Sequence, residues 1–530
     1  MTRRHLDVVW MINRRESETY RNCENAMLTK TNVRLFVCVC FFAVVFFSFC
    51  FSNIKCQAIR FDKYDYAFYL QFAAKLFDDK IEKVYSMNPD GANWLFFRGS
   101  EGSGGFHKTI HFEPIKYFYA VLYLLFGTPK ILFLFISLVF FFPILYTAFS
   151  IPMPTKWHMY MVLFISVLYI LYPASVLVPS YDLRPYIFLA PFFLLSFLSI
   201  AFRRPSWEIV LWFNTLFLAR EEAIILGVVL LIHAFVKFKD GRQRLIATLF
   251  VSWLLWLITI LLFVYWCGYS IKVFDPTGKF YSFKTVLLFV GTGLVCVIGI
   301  VATLGRGWLR EKLSSQKVLE IVSISVIFLP FLYMFCKKEV YGIMSPSLDW
   351  LESVLFSPRY FLYFVALLCL GVILLQNVEE KKYEKVGSAI FVVVGLLSFS
   401  MNIASSHGIY QSYAQYEKEI ESVKKVWEIR ELTDKYTSGI LVDEYVYQAF
   451  YDYQYVYVYN NLPWHVIPGV GRFYPANNGI VQRLVDERME YIVANTSNYD
   501  IINGFLAQKK RIVGVDLFKD KNFFALQIKR

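Results

Sequence analysis

Five short polar groups interrupt a chain that is otherwise strongly apolar, and their residue types suit chemistry on a phosphate at a membrane surface. Asp62, Asp65 and Gln71 stand in FDKYDYAFYLQF, residues 61–72. His107, His111 and Glu113 stand in HKTIHFEP, Asp182 and Arg184 in SYDLRP, and Arg220, Glu221 and Glu222 in LAREEAIIL. Arg359, in SPRY at 357–360, is a fifth candidate. Guanidinium groups hold phosphate through paired hydrogen bonds. A carboxylate beside them can take the proton of an acceptor hydroxyl. It can equally hold a divalent cation, Mg or Mn, that neutralises a leaving phosphate. Asp65 is the candidate for both roles.

Each group also has an ordinary explanation. Asp62 and Asp65 could be solvated loop residues. His107 and His111 have the i, i+4 spacing of metal ligands on a helix, but Pro114 and the glycines upstream argue against a long helix there. Asp182 and Arg184 could form a surface ion pair of little energetic value. Arg220-Glu221-Glu222 resists such a reading, because it lies within roughly thirty otherwise apolar residues, where an unpaired charge is expensive.

The elements that must carry these groups follow from composition. The chain has 530 residues, 57% of them hydrophobic and 19% aromatic. Its uncharged runs reach the length needed to cross a bilayer, so the class is a mainly α, polytopic transmembrane bundle. The formal net charge of +13 sits in short loops between apolar runs rather than on one soluble face, which argues against nucleic acid as a partner. Nine cysteines, mostly within or beside apolar runs and without a CxxC pair, support neither a disulfide framework nor a thiolate zinc site.

The first span is expected at Val33–Ser52, behind a polar cytoplasmic tail over 1–32, with Met27 an alternative start. An external loop follows over 53–128, in which the ten apolar residues Tyr117–Phe126 are too short to cross and lie in the interface. Further spans are expected at 131–151, 158–178, 186–202, 207–219, 222–236, 246–266, 284–304, 318–336, 360–376 and 387–403, the pair at 207–236 being short or broken. Basic clusters then fall in alternate loops, at Lys156 and His158, Arg203-Arg204, Lys237–Arg244, Gly305–Lys312 and Glu379–Lys385. With the N-terminus inside, all five lie on the cytoplasmic side. About eleven spans result, and the five polar groups share the outer face.

From 405 to 530 the pattern changes to an amphipathic helix and short strand-like runs, GILVDEY, YVYVYN, YIVAN, RIVGVDL and FFALQIKR. This reads as a small extracytoplasmic α/β domain. The outer groups together meet the needs of a transfer from a lipid-linked phosphate, with membrane lipid and a polyprenyl-phosphate sugar as partners and an acceptor outside the cytoplasm.

Four segments in order resemble a bacterial polytopic membrane family of unknown function: YDYAFYLQFAAKLF, HFEPIKYFYAVLYLLF, YDLRPYIFLAPFFLL and LAREEAIIL. That family is in turn similar to the GT-C superfamily of membrane glycosyltransferases. The resemblance implies a multi-pass protein of the bacterial inner membrane, with a catalytic acid after the first span and a second acid in a later external loop. On this chain those positions are Asp65 and Asp182, with Arg220 near the lipid phosphate. The outer-face groups themselves, apart from the resemblance, offer Gln71, His111, Arg184, Glu221, Glu222 and Arg359 as further substrate contacts. The chain departs from the family pattern at Glu113, usually serine, at Leu70, often aspartate, and at Arg184, often histidine. Two other classes stay open on the sequence alone, a transporter or lipid flippase and a non-enzymatic scaffold displaying the C-terminal domain.

Overall fold

The computed structural model describes residues 3–60, 63–80, 83–87, 93–97, 112–171, 179, 183–238, 242–266, 365, 368, 369, 372, 413–421, 423–443, 446–459, 489–507 and 513–529. The chain begins on one helix, α1 (Arg3–Gln57). Sequence reasoning expects a helix only from Val33; here the polar tail joins it. No proline or glycine occurs before residue 89, so nothing interrupts the backbone ladder.

A short helix, α2 (Lys63–Lys75), follows, then an antiparallel pair, β1 (Lys83–Met87) and β2 (Asn93–Phe97). The short apolar segment expected in the interface is a helix, α3 (Ile115–Phe126). Gly127, at φ 65°, ends it by donating its N–H to the Tyr123 carbonyl at 2.7 Å, the left-handed stop that glycine makes cheap. Tyr117, Phe118, Leu124, Leu125 and Phe126 are exposed along α3, as suits a helix lying against lipid.

Next come α4 (Lys130–Ser150), α5 (Lys156–Leu171), a 3-10 turn (Pro185–Phe188), α6 (Leu189–Ala201), α7 (Ser206–Leu216), α8 (Ala223–Lys237) and α9 (Gln243–Trp266). Among the described residues, Lys30–Gln57, Lys130–Ser150 and Gln243–Phe263 are long and apolar enough to cross a membrane. The chain is therefore an integral membrane protein. The helix α6 is buried along its whole length and packs against α4, α7 and α8. The expected spans beyond 267 lie outside the described residues, apart from Val365, Leu368, Cys369 and Val372, which are helical and buried.

Basic residues tie helix ends together at one end of the bundle. Arg34 Nε donates to the Ala148 carbonyl at 3.2 Å, Arg203 to that of Lys237 at 3.2 Å and Arg242 to that of Arg204 at 2.9 Å. Beside them Glu208, almost fully buried, accepts from the Tyr146 hydroxyl and pairs with Arg204 at 3.1 Å. Cations against the last carbonyls of helices are favourably placed in the helix field.

The C-terminal part opens on a helix, α10, over 413–432, residue 422 lying outside the described set. It continues as β3 (Gly439–Asp443), β4 (Tyr455–Tyr459), β5 (Met489–Asn495), α11 (Tyr499–Ala507), β6 (Val513–Lys519) and β7 (Phe523–Lys529). The five strands make one sheet in the order β4-β3-β5-β7-β6, parallel over the first three and antiparallel over the last three. Alternation splits its apolar residues between two cores. Ile440, Val442, Val493 and Ala525 face Val423, Val426 and Ile429 of α10, while Leu441, Ile492, Phe524 and Leu526 face Ile502 and Leu506 of α11. Asp443 pins the strand ends, its oxygens accepting from the backbone N–H of Val446 and Asn495 at 2.9 and 2.6 Å.

Candidate functional site

The end of the bundle opposite the basic residues carries the charged break in LAREEAIIL. The helix α7 stops at Leu216 and α8 starts at Ala223; between them, Phe217, Leu218 and Ala219 bond back to the carbonyls three residues earlier, at 3.1–3.2 Å. Such tightening leaves carbonyls to be satisfied elsewhere. The Leu218 carbonyl accepts the Ile115 N–H at 3.0 Å, which stitches the entry of α3 to the break.

Three carboxylates surround the guanidinium in that break. Arg220 Nε lies 3.0 Å from Glu222, 3.8 Å from Glu221 and 3.9 Å from Glu113. Exposure grades across them: the Glu113 side chain is 2% exposed, Glu221 30% and Glu222 47%. Glu113 is therefore held as a structural partner, and Glu222 is the one most open to exchange. The Tyr69 hydroxyl, from α2, donates to Glu113 Oε2 at 2.7 Å, and the Phe112 N–H donates to Glu221 Oε2 at 3.0 Å. Residues 112–115 and 218–221 thus make one clasp, two segments joined by a backbone bond, a backbone-to-carboxylate bond and an ion pair.

Aromatic packing fixes the clasp from the side of α9. Phe112 meets the rings of Trp256 and Phe263 edge-on at 6.1 and 5.3 Å, and Phe217 stacks on Trp256 at 5.7 Å. Trp256 donates to Asn214 Oδ1 at 2.8 Å, and Trp253 donates to the Ile224 carbonyl at 3.0 Å. Gly227 makes room here, since a Cβ on it would lie 2.7 Å from Phe217 Cζ and 2.9 Å from Trp253 Cδ1.

The sequence-predicted residues separate into three sets. Arg220, Glu221 and Glu222 come together, joined by Glu113 and Tyr69. Arg184 is half-buried at the head of the 3-10 turn, whose Phe188 packs on Tyr119 of α3 at 6.2 Å. Gln71 goes elsewhere. It is fully buried two residues on from Tyr69, so it lies across the helix from that residue and shares a side with Ala67 and Lys75.

Asp62, His107, His111, Asp182 and Arg359 lie outside the described residues. Asp65 falls on α2, one turn before Tyr69, with its side chain outside the described ones. Among the described residues no three His, Cys, Asp or Glu side chains gather to hold a metal. Sequence reasoning assigns neither Tyr69 nor the pairing of Glu113. The available signal is a tyrosine at i+4 from Asp65, and a glutamate just before the proline that opens α3.

No protein-family model matches the chain, and no curated protein matches it. Among solved structures it is similar to ArnT from Cupriavidus metallidurans bound to undecaprenyl phosphate, at 13% identity and a TM-score of 0.46, covering 92% of this chain and 97% of that one. The apo state of the same protein gives 12% identity and a TM-score of 0.45 over the same shares. At that level the likeness carries no inference about activity. The functional reading rests on this chain's own residues.

Proposed function

We propose that the chain is a membrane glycosyltransferase that moves a sugar from a polyprenyl-phosphate donor to an acceptor hydroxyl outside the cytoplasm, with inversion. The observation that carries the reading is the clasp: a guanidinium at a helix break, ringed by carboxylates of graded exposure, tied to an interfacial helix and to the helix that holds Asp65. A lipid phosphate arriving along α3 meets Arg220 and displaces Glu222, the most exposed of the three carboxylates. Asp65 takes the proton of the acceptor hydroxyl, and that oxygen bonds to the anomeric carbon. The carbon–oxygen bond to phosphate breaks, and the polyprenyl phosphate leaves with the electron pair, its charge met by Arg220. Asp182 and Arg184 belong to the same outer face and complete the sugar site.

In this reading the basic end of the bundle faces the cytoplasm. The C-terminal sheet then stands outside and selects the acceptor, and the membrane domain has about eleven spans. The purified protein in lipid vesicles, given a panel of polyprenyl-phosphate sugars, tests it. Release of polyprenyl phosphate with formation of a glycoside is expected, together with its loss in Asp65→Asn. Arg220→Ala should raise the donor KM about 10- to 100-fold, the worth of a charge-assisted phosphate contact. Full turnover by Asp65→Asn removes Asp65 from the mechanism. Movement of lipid or solute with no glycosidic bond made refutes the transferase reading outright.

A further inference from the structure

The side of α2 away from Tyr69 is closed by the C-terminal part of the chain. Ala67 enters the core formed by α10, Val446, Ala449 and Phe450, and the 3-10 turn Tyr447–Ala449 packs along the helix. Polar contacts ring this joint. Arg60 binds both oxygens of Glu419 at 2.6 and 2.8 Å, Trp427 donates to the Gln57 carbonyl at 3.0 Å, and the hydroxyls of Tyr123 and Tyr451 bond at 2.8 Å. An element gripped on both sides has one position when the joint is closed.

Lys75 sits in the joint at the last residue of α2. Its side chain is fully buried, and Nζ has no hydrogen-bond partner among the described residues. Two carboxylates face it, and each already serves another cation. Asp452 gives one oxygen to Arg430 at 2.8 Å, its other oxygen having no partner among the described residues. Asp78 lies 3.7 Å from Lys435 and accepts the Tyr436 hydroxyl at 3.1 Å. On α3, Lys116 is buried over the Phe72 ring and the Tyr123 hydroxyl is taken up by Tyr451. A protonated Lys75 is thus a surplus cation in a dry joint. Burial pushes its amine down to about 7, with Asp452 and then Asp78 pulling the other way.

We propose that Lys75 is a positioning residue: by gaining or losing a proton it sets how firmly the C-terminal part holds α2, and so where Asp65 and Tyr69 stand. This rests on the transferase reading for its consequence in catalysis, and on the joint alone for its effect on α2. With the joint open, the amine returns to its ordinary 10.5. The closed joint then binds the proton less tightly than the open one, so closure weakens as pH falls from 10.5 towards 7 and is level below that. Between pH 9 and 6.5 the closure equilibrium should fall roughly 75-fold.

Hydrogen exchange of segments 63–80 and 446–454 in the full-length protein in nanodiscs, corrected for intrinsic amide rates, reads the closure directly. The unaltered protein should lose protection as pH drops from 9 to 6.5. Lys75→Met should stay protected across that range, and Lys75→Arg should be weakly protected throughout. Tyr123→Phe, a structural control, should lower protection at every pH without changing the slope. In the transfer assay at pH 6.5, Lys75→Met should raise kcat. No pH slope in the unaltered protein, or an unaltered slope in Lys75→Met, overturns the proposal. The exchange measurement needs no turnover: a slope that follows Lys75 in a chain that transfers nothing leaves the joint intact and refutes the transferase reading alone.

Discussion

Arg220→Met offers a direct measurement of the clasp. The substitution removes the cation 3.9 Å from Glu113 Oε1 and leaves a carboxylate that is 2% exposed, with Tyr69 as its remaining hydrogen-bond donor. Two unit charges at that distance attract by about 4 kcal/mol at an effective dielectric of about 20. Breaking a buried pair from one side typically costs about 3–5 kcal/mol. Glu113→Gln should cost less, about 1–2 kcal/mol, because the amide keeps the shape and still accepts from Tyr69. With both changes made, the carboxylates left without the cation are the more exposed Glu221 and Glu222 and no fully buried charge is stranded, so the double variant should be more stable than Arg220→Met alone. A coupling of about 2–4 kcal/mol is expected. Thermal unfolding in detergent, followed by tryptophan fluorescence, gives all four midpoints. Strictly additive losses, or an Arg220→Met variant within about 0.5 kcal/mol of the unaltered protein, would show that Glu113 does not depend on the guanidinium.

Three further outcomes follow from the same geometry. In the proposed transfer, Glu222→Gln removes the carboxylate that would compete with phosphate at Arg220. Since exposed pairs are worth at most about 1 kcal/mol, donor KM should fall about 3- to 5-fold; a rise would mean that Glu222 contacts the donor instead. Gly227→Ala forces a Cβ against Phe217 and Trp253, and should destabilise the break by about 1–3 kcal/mol, read as a lower melting temperature. Tyr451→Phe deletes the hydroxyl pair with Tyr123 and should weaken the joint by about 1 kcal/mol, seen as faster exchange over 446–454 with the helix bundle unaffected.

Much of the helical plan is written in local pattern. The interfacial segment Tyr117–Phe126 is short because Gly127 stops it, and the broken pair is visible because charges interrupt an apolar run. The five strand-like runs of the C-terminal part appear as strands, since alternation and β-branched content are local properties. What local pattern omits is pairing. Nothing near Glu113 says that its partner stands more than a hundred residues on, or that Ile115 will bond the Leu218 carbonyl. Gln71 reads as a polar residue beside Asp65, yet helical periodicity turns it to the opposite side. The helicity of 3–32 is missed because a polar stretch carries no apolar stripe, even when nothing in it breaks a helix. The antiparallel turn of the sheet after β5 is likewise a matter of which strands meet, and that is decided at long range.

The bond from Ile115 to Leu218 has a mechanical side. One of its residues begins a helix with an exposed apolar face, and the other follows the end of a helix within the bundle. A sideways shove on that helix is delivered to the guanidinium two residues beyond Leu218. A push on that apolar face and the setting of Arg220 then become two readings of one lever.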